Sequence, residues 1–324
     1  GVAGRERTRR EVVVRAKRVV VSAGTMQSPL LLLRSGLKNS HIGRHFKCHP
    51  VSIVGAVYDE EVKPWEGGIL TAVVNELENI DGRGHGVKLE ATTMLPSTML
   101  PFTPWTGGAD WKTTAAKFGR MVGHIALARD EGEGRVYPDP DDGRCRFQYH
   151  PSTTDKQRIL EGVVALAKIN YIEGAKEIFT TIPGVPTFVR SANPVHNAFP
   201  ASHASAAAAE GIQDQGINDP AFNAWLDTIR RRGFPHPESL FLSAHQMGTC
   251  RMSASGRRGV VDPRGKVWGT EGLFLADASV FPSASGVNPM VTNMAVSDWI
   301  SRGIARGLAR EKAGRGMRVQ QANL

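Results

Sequence analysis

Cysteine is scarce in this sequence, and its positions exclude the usual cysteine-based sites. Only three of the 324 residues are cysteines, Cys48, Cys145 and Cys250, and no two of them form a Cys-x-x-Cys pair. An odd number of cysteines without paired spacing is not typical of a disulfide framework or of a zinc site. The sequence therefore favours an intracellular, reducing compartment and predicts no metal site.

Long apolar runs and a serine-nucleophile motif are missing as well. The longest apolar runs, such as residues 19–21 and 30–33, are far shorter than the ~20 residues that span a bilayer. No Gly-x-Ser-x-Gly sequence supplies the nucleophile elbow of an α/β-hydrolase. We therefore expect neither a membrane-spanning helix nor a serine hydrolase, while association with a membrane surface stays open.

The net charge of +9 comes largely from basic residues near the two ends of the chain. They are Arg5, Arg7, Arg9, Arg10, Arg15, Lys17 and Arg18 at the start, and Arg302, Arg306, Arg310, Lys312, Arg315 and Arg318 at the finish. No zinc-finger spacing or aromatic-basic RNA motif accompanies these charges, so nucleic-acid binding is not predicted. A solvated face or tail is the simpler interpretation. The alternative is a non-catalytic basic fragment that binds partners.

Local patterns predict a mixed fold of helices and antiparallel strands. Residues 11–23 predict a hairpin that feeds a buried strand, with Pro29 in the first turn of the next helix and Gly36 after its end. Strand-like stretches recur over residues 51–94, and an Asp-Asp-Gly turn at 141–143 predicts another hairpin. Helical spacing returns at 159–171 and 222–231, whereas residues 183–220 indicate a long surface excursion.

The residues most suited to chemistry stand in three segments near the end of the chain. Residues 243–252 read Ser-Ala-His-Gln-Met-Gly-Thr-Cys-Arg-Met, residues 272–277 end in Asp277, and residues 286–292 contain Asn288-Pro289-Met290. Histidine exchanges a proton near neutrality because its ordinary pKa is about 6.5, so His245 suits a general base. An amide such as that of Asn288 can hydrogen-bond a substrate oxygen without competing for its proton.

These segments together resemble the C-terminal signature of the glucose-methanol-choline (GMC) oxidoreductases. The order is His-x-x-Gly-Thr-Cys-x-Met, then Gly-Leu-x-x-x-Asp-x-Ser, then Asn-Pro-Met-x-Thr. The residues in and around these motifs are similar to those of the long-chain fatty alcohol oxidase branch. This resemblance covers roughly residues 11–310 and weakens between about 180 and 220. The resemblance implies FAD as cofactor, His245 as the base for the hydroxyl proton and Asn288 as its partner on the substrate oxygen.

The resemblance also implies which residues contact the flavin. They are Ala23, Gly24, Asp277, Ala278, Asn288, Pro289 and Met290. Asn288 and Pro289 would form the N-cap and first turn of a helix whose positive end faces the pyrimidine edge. The simpler alternatives are that Asn288 only caps that helix and that Asp277 is an ordinary turn residue.

The implied fold is an α/β (α+β) one in four segments. Residues 1–50 would form part of a Rossmann-like FAD-binding domain, and 51–238 a substrate domain built on an antiparallel sheet with helices. Residues 239–312 would complete the FAD-binding domain and active site, and 313–324 a basic tail. The sequence contains no Gly-x-Gly-x-x-Gly turn for the FAD pyrophosphate. We therefore expect a C-terminal piece that, alone, binds FAD poorly and is inactive.

The expected reaction is FAD-dependent oxidation of a long-chain primary alcohol to its aldehyde, with oxygen or another electron acceptor. The alternatives are a GMC enzyme for another alcohol, or an inactive fragment or pseudoenzyme with a binding role. The final Ala322-Asn323-Leu324 resembles the peroxisomal Ser-Lys-Leu address, which predicts a peroxisomal setting. A membrane-associated setting is a separate expectation. The oligomeric state stays open.

Two further features have competing interpretations. His41, His45 and His49 recur every four residues, a spacing that would align metal ligands on a helix, but Gly43 and Pro50 argue against that helix. The aromatic stretch at 94–111 suits either the lining of a long apolar channel or ordinary core packing.

Overall fold

The computed structural model describes residues 11–191 and 218–322. The strands are β1 (Val19–Val21), β2 (Arg44–Phe46), β3 (Val51–Val57), β4 (Val73–Val74), β5 (Val87–Ala91), β6 (Met121–Ala128), β7 (Gly134–Pro138), β8 (Cys145–Gln148), β9 (Glu177–Thr180), β10 (Phe188–Val189) and β11 (Leu273–Leu275). The helices are α1 (Gly24–Arg34), α2 (Pro96–Met99), α3 (Gly108–Ala116), α4 (Thr153–Ile172), α5 (Pro220–Arg232) and α6 (Met290–Ala322).

The largest unit is a six-stranded antiparallel sheet in the order β10-β9-β3-β6-β5-β4. Successive side chains of a strand point to opposite faces, and β3 supplies both sides. Val54 and Ala56 join the core that contains residues of α4 and α5, whereas Ile53 and Val57 join the core on the other face with Met121. Because both faces are covered, every residue of β3 is buried, and the predicted antiparallel sheet is confirmed.

Helix α4 covers one face of this sheet and begins with a capping box. Ser152 accepts a hydrogen bond from the amide of Asp155, and the Asp155 carboxylate accepts one from the amide of Ser152. Such caps contribute about 1 kcal/mol to helix stability. The same carboxylate accepts hydrogen bonds from the amides of Glu131 and Gly132. The helix start is thereby joined to the segment that follows β6.

A second unit brings the two ends of the described chain together. Strand β1 pairs in parallel with β11, more than 250 residues later in the sequence, with Val21 opposite Leu275. The predicted hairpin over residues 11–23 is wrong in its first half, because residues 11–16 form no strand. The valine run at 19–21 pairs instead with the distant strand β11, which a local sequence pattern cannot reveal.

Helix α1 also differs from its prediction. It begins at Gly24, so Pro29 lies inside the helix and not in its first turn. The early start is stabilised from outside the helix, since the Gly24 amide donates to the carboxylate of Asp277 at 2.9 Å. The predicted stop is confirmed: the helix ends at Arg34, and Gly36 adopts the positive φ of +84° that glycine tolerates.

A third, three-stranded sheet has the order β2-β7-β8. Its β7–β8 hairpin is the one predicted around the Asp-Asp-Gly turn, and Gly143 supplies a φ of +69° there. The aspartates stabilise the turn itself, because Asp139 accepts hydrogen bonds from the amides of Asp141 and Asp142.

The final helix, α6, extends over 33 residues to Ala322. Residues 313–322, predicted to be a basic tail, continue it, since Ala, Arg, Met and Gln are good helix formers. Among residues 11–191 and 218–322, no helix is both long and apolar enough to cross a membrane. The basic residues before Glu11, most of the predicted surface excursion (192–217), Asn323 and Leu324 lie outside the described residues.

Candidate active site

His245 lies directly opposite a second histidine, His49. Lys47 and Met247 form an antiparallel bridge, with the Lys47 amide donating to the Met247 carbonyl at 3.0 Å and the reverse bond at 2.9 Å. In an antiparallel pair, two steps along one chain match two steps back along the other. His49 and His245 therefore face each other, and their Nδ1 atoms are 3.2 Å apart.

The backbone at His49 is held in an unusual conformation by a buried carboxylate. Its φ is +50°, which only a small fraction of non-glycine residues adopt. Asp130 accepts hydrogen bonds from the amides of Cys48 and His49 at 3.0 and 3.1 Å, and the Tyr149 hydroxyl donates to it at 2.9 Å. Burial raises the pKa of Asp130. This network holds the turn that points His49 at His245.

Both histidines are held in the neutral state by burial. The ring of His49 is fully buried, and burial is the main reason why its pKa falls from the ordinary 6.5 to about 3, with the charges of His245 and Arg129 adding to the effect. Burial also lowers the pKa of His245, which is partly exposed. In a neutral imidazole one ring nitrogen donates and the other accepts. In the contact between the two Nδ1 atoms, one histidine is therefore the donor and the other the acceptor.

Asn288 lies in the same loop as a residue that contacts His49. The Gly286 amide donates to His49 Nε2 at 3.0 Å, and Asn288 follows two residues later. Asn288 Nδ2 donates to the carboxylate of Glu90 at 3.2 Å, and Glu90 is only 3% exposed. The Oδ1 atom of Asn288 is buried without a hydrogen-bond partner, so one buried acceptor remains free at this position.

The prediction that Asn288 caps the final helix is wrong. Helix α6 begins at Met290, and its first backbone bond runs from the Asn293 amide to the Pro289 carbonyl. The Asn288 side chain is instead turned toward β5 by its bond to Glu90. An N-cap side chain would use its oxygen to accept from the first amides of the helix, but the bond of Nδ2 to Glu90 holds the side chain in another direction and Oδ1 accepts no such bond.

Arg129 fixes the loop that precedes Asn288. Its Nε donates to the Ala284 carbonyl at 3.1 Å, and Nη1 donates to the carbonyls of Arg83 and Gly84. Gly286 has a φ of +73°, and a Cβ atom there would lie 2.8 Å from the Cδ of Arg129. A cleft of about 340 Å³ opens beside this loop; Glu78, Lys88, Arg129, Gly286 and Val287 are among the residues that line it.

Asp277 joins the end of β11 to the start of α1. One carboxylate oxygen accepts hydrogen bonds from the Gly24 amide and the Ser28 hydroxyl, at 2.9 and 2.5 Å, and the other accepts from the Ser279 amide at 2.8 Å. Asp277 is therefore more than an isolated turn residue. It brings Ala23 and Gly24 next to Ala278, so four of the predicted flavin contacts lie together.

The other predicted flavin contacts, Asn288, Pro289 and Met290, lie at the start of α6. The first amides of a helix have no acceptor within it, and the aligned peptide dipoles give this end a partial positive charge. Met290 is 69% exposed. A positive helix end with the unpaired Asn288 Oδ1 beside it fits the polar, electron-accepting edge of a flavin. The residues present thus fit the group implied by the resemblance.

Two other clusters have features of metal sites. His41 Nδ1 and His45 Nε2 are 2.9 Å apart, but His49 turns away from both toward His245. Elsewhere Asp81, His85 and Glu131 bring their ligand atoms within 4.8 Å of one another. The Arg158 guanidinium already forms ion pairs with both of these carboxylates, at 3.3 and 2.8 Å. A cation at this cluster would be repelled by that charge.

Sequence reasoning identified His245, Asn288 and Asp277 but missed two residues that contact them. The sequence offers His49 as a possible metal ligand and gives no reason to pair it with His245, although a His-Pro pair after a turn is a signal for a specially shaped backbone. Glu90 gave no signal, because it looks like an outward-facing residue of an alternating strand. The side chains of the stretch at 94–111 differ in burial. Met94 and Met99 are buried in the core, whereas Trp105 is 70% exposed.

The sequence matches the models of a family of flavoproteins. The model for the C-terminal domain of GMC oxidoreductases matches residues 123–297, and the model for their N-terminal domain matches residues 1–51. The first match covers more than half of the chain, and the chain belongs to the GMC oxidoreductases. Members of this family are FAD flavoproteins with a Rossmann-like FAD-binding domain.

Among characterised relatives, this chain is similar to long-chain-alcohol oxidases of Arabidopsis thaliana. It is 30% identical to long-chain-alcohol oxidase FAO1 over 94% of the chain, and 32% identical to long-chain-alcohol oxidase FAO4A over 93% of the chain. The match spans only 37% and 38% of those two proteins. The chain thus corresponds to less than half the length of these relatives.

Solved structures show the same fold at low sequence identity. Pyridoxine 4-oxidase from Mesorbium loti has a TM-score of 0.55 at 17% identity, over 89% of this chain and 51% of that structure. A formate oxidase has a TM-score of 0.53 at 18% identity, over 88% of this chain and 53% of that structure. The predicted fold class, a partial Rossmann-like domain with an antiparallel substrate domain, is confirmed.

Proposed function

We propose that the complete protein containing this chain oxidises a long-chain primary alcohol to the aldehyde, with FAD as cofactor and oxygen as electron acceptor. The observation that carries the proposal is the connected set His245, His49, Gly286 and Asn288, which presents one uncommitted histidine nitrogen and one unpaired amide oxygen. A primary alcohol has one hydroxyl that both donates and accepts a hydrogen bond. This set offers a partner for each.

Each of these side chains has a role toward the hydroxyl group. Asn288 Oδ1 accepts the hydroxyl hydrogen, and the bond from Asn288 Nδ2 to Glu90 supports this role because it leaves the oxygen as the unpaired atom of the amide. His245 faces the hydroxyl through Nε2, the ring nitrogen that His49 leaves free, and takes the hydroxyl proton there once that nitrogen carries no hydrogen of its own. The two contacts fix the direction of the C–O bond and hence of the hydrogen that leaves as hydride.

The residues around Gly24, Asp277 and the start of α6 would hold the isoalloxazine end of FAD. When bound, FAD supplies the acceptor for the hydride. The start of α6 stabilises negative charge near Pro289 and Met290, and Asp277 holds the start of α1 in place through Gly24 and Ser28. Residues that hold the FAD phosphates would come from the part of the relatives that this chain does not span.

The substrate class rests on the relatives. Two proteins named long-chain-alcohol oxidases match more than nine-tenths of this chain at 30–32% identity. An apolar stretch at 94–111 with an exposed Trp105 is available to line the path of an alkyl chain. A peroxisomal or membrane-associated location would bring the protein near such substrates and remains part of the proposal. The runner-up is a GMC enzyme that acts on a different alcohol.

The proposal is tested with the complete protein, purified with FAD and mixed without oxygen with primary alcohols of two to sixteen carbons. Bleaching of the flavin band that becomes faster with chain length supports a long-chain alcohol oxidase. Bleaching only by short or polar alcohols supports the runner-up. No bleaching by any alcohol, in a protein with a full FAD complement, would indicate a pseudoenzyme. Readmission of oxygen then tests the acceptor, since an oxidase recovers its absorbance and releases hydrogen peroxide.

A further inference from the structure

The direction of one hydrogen bond in the site is fixed by the backbone. The Gly286 amide lies 3.0 Å from His49 Nε2, and a backbone N–H can only donate. The Nε2 atom of His49 therefore accepts and carries no hydrogen. Because Arg129 holds the Ala284 carbonyl two residues earlier, this amide is anchored in its position.

The direction of the next bond follows from that one. His49 is fully buried and lies near the positive charge of Arg129, so its ring is neutral and has a single hydrogen. With Nε2 accepting from Gly286, that hydrogen is on Nδ1, 3.2 Å from His245 Nδ1. His49 is therefore the donor of the pair and His245 the acceptor.

Resting on the proposed function, we propose that His49 is a positioning residue that fixes resting His245 with its hydrogen on Nε2. A neutral imidazole whose Nδ1 accepts a hydrogen bond must carry its hydrogen on the other nitrogen. His245 then donates to the alcohol oxygen, while Asn288 Oδ1 accepts the alcohol hydrogen. A hydroxyl group that reached both side chains would then have one donor and one acceptor, and hence one orientation.

This arrangement has a consequence for the proton of the alcohol. His245 can act as a base at Nε2 only when its own hydrogen is on Nδ1, and His49 must then accept at Nδ1 and carry its hydrogen on Nε2. That hydrogen would face the Gly286 amide and break its bond. A cationic His245 meets the same conflict, because its Nδ1 hydrogen would point at the hydrogen of His49. His49 thus holds resting His245 in a neutral, donating form, and the alcohol proton can pass to His245 Nε2 only after the hydrogens have moved to Nδ1 of His245 and Nε2 of His49.

The tautomer is measured by magic-angle-spinning ¹⁵N NMR on the complete holoprotein labelled at histidine nitrogens. His245→Gln assigns the His245 signals, and His150→Gln, at an exposed histidine, serves as the control. We expect an unprotonated Nδ1 and a protonated Nε2 for His245 at neutral pH. A His245 with hydrogen on Nδ1, or on both nitrogens, would overturn the proposal.

The role of His49 is tested by two variants that preserve its volume to different degrees. His49→Phe keeps a ring but has no donor, and we expect the His245 signals to shift to a mixture of tautomers. His49→Gln retains an N–H donor and should preserve the wild-type tautomer. If the wild-type tautomer persists in both variants, His49 does not determine it. Because the spectra need no turnover, failure of the alcohol assay would overturn the proposed function without affecting this result.

Discussion

His49 and His245 face each other across an antiparallel backbone pairing between Lys47 and Met247, two residues that are 200 positions apart in the sequence. This relationship joins the turn before the large sheet to the segment that carries the GMC histidine. It also explains why a buried histidine adopts a left-handed backbone at a turn held by Asp130. Such local strain typically persists where the surrounding structure requires a particular side-chain direction.

The loop before Asn288 gives the first prediction. Gly286→Ala places a Cβ 2.8 Å from Arg129 Cδ at a φ of +73°, so the loop must move and the bond from its amide to His49 is weakened. The control is Gly269→Ala, which has a φ of +75° but open space around it. Both variants should lose about 1–2 kcal/mol of unfolding free energy in urea. Only Gly286→Ala should also slow flavin reduction, by about tenfold or more; equal rates in the two variants would contradict this role.

Stability should depend on pH through His49. Its pKa is about 3 in the folded protein and 6.5 when unfolded, so between these values the unfolded chain binds a proton that the folded chain does not. The free energy of unfolding therefore keeps its full value above pH 6.5. It falls as the pH drops from 6.5 toward 3, by up to about 1.4 kcal/mol per pH unit. The free energy of unfolding, measured in urea between pH 4 and 7, should depend less steeply on pH in His49→Gln than in wild type. Identical slopes would mean that His49 is not buried in a neutral state.

Asp277 should couple folding to cofactor content. Asp277→Asn keeps the shape but removes the charge that accepts bonds from Gly24 and Ser28, at a cost of about 1.5–3 kcal/mol. Asp262→Asn is a matched control, since that carboxylate accepts from the amides of Arg264 and Lys266 away from the site. The ratio of flavin to protein absorbance should fall in Asp277→Asn alone. A full flavin complement in Asp277→Asn would show that the Asp277 charge is not required for flavin binding and serves only the local turn.

Glu90 should act by orienting Asn288. Glu90→Gln keeps a carbonyl oxygen able to accept the bond from Asn288 Nδ2, whereas Glu90→Ala leaves that group without a partner. We expect flavin reduction to stay within a few-fold of wild type in Glu90→Gln and to slow by about tenfold or more in Glu90→Ala. The rate at saturating alcohol distinguishes the two variants. Equally slow reduction in both would show that the carboxylate charge, and not the hydrogen bond, is what the site requires.

Much of the fold was predictable because its signals are local. Strand-like stretches separated by turns predicted the antiparallel sheet, and the Asp-Asp-Gly turn predicted the β7–β8 hairpin. Ordered motifs pointed to His245, Asp277 and Asn288 as candidate site residues. The failures share one cause, which is a distant partner. The valine run at 19–21 pairs with residues 273–275, and Asn288 leaves its cap position for Glu90, nearly 200 residues earlier. His49 likewise gains its role only through the pairing of two remote segments.

The most direct test of the account is the rate of flavin reduction by a long-chain primary alcohol, measured without oxygen in a stopped-flow instrument. Wild type and His245→Ala should be compared as complete proteins with equal FAD content. We expect the variant to reduce its flavin about 10²- to 10⁴-fold more slowly, because His245 contacts the hydroxyl and assists loss of its proton. A reduction rate unchanged by His245→Ala would contradict the assignment of this site to alcohol oxidation.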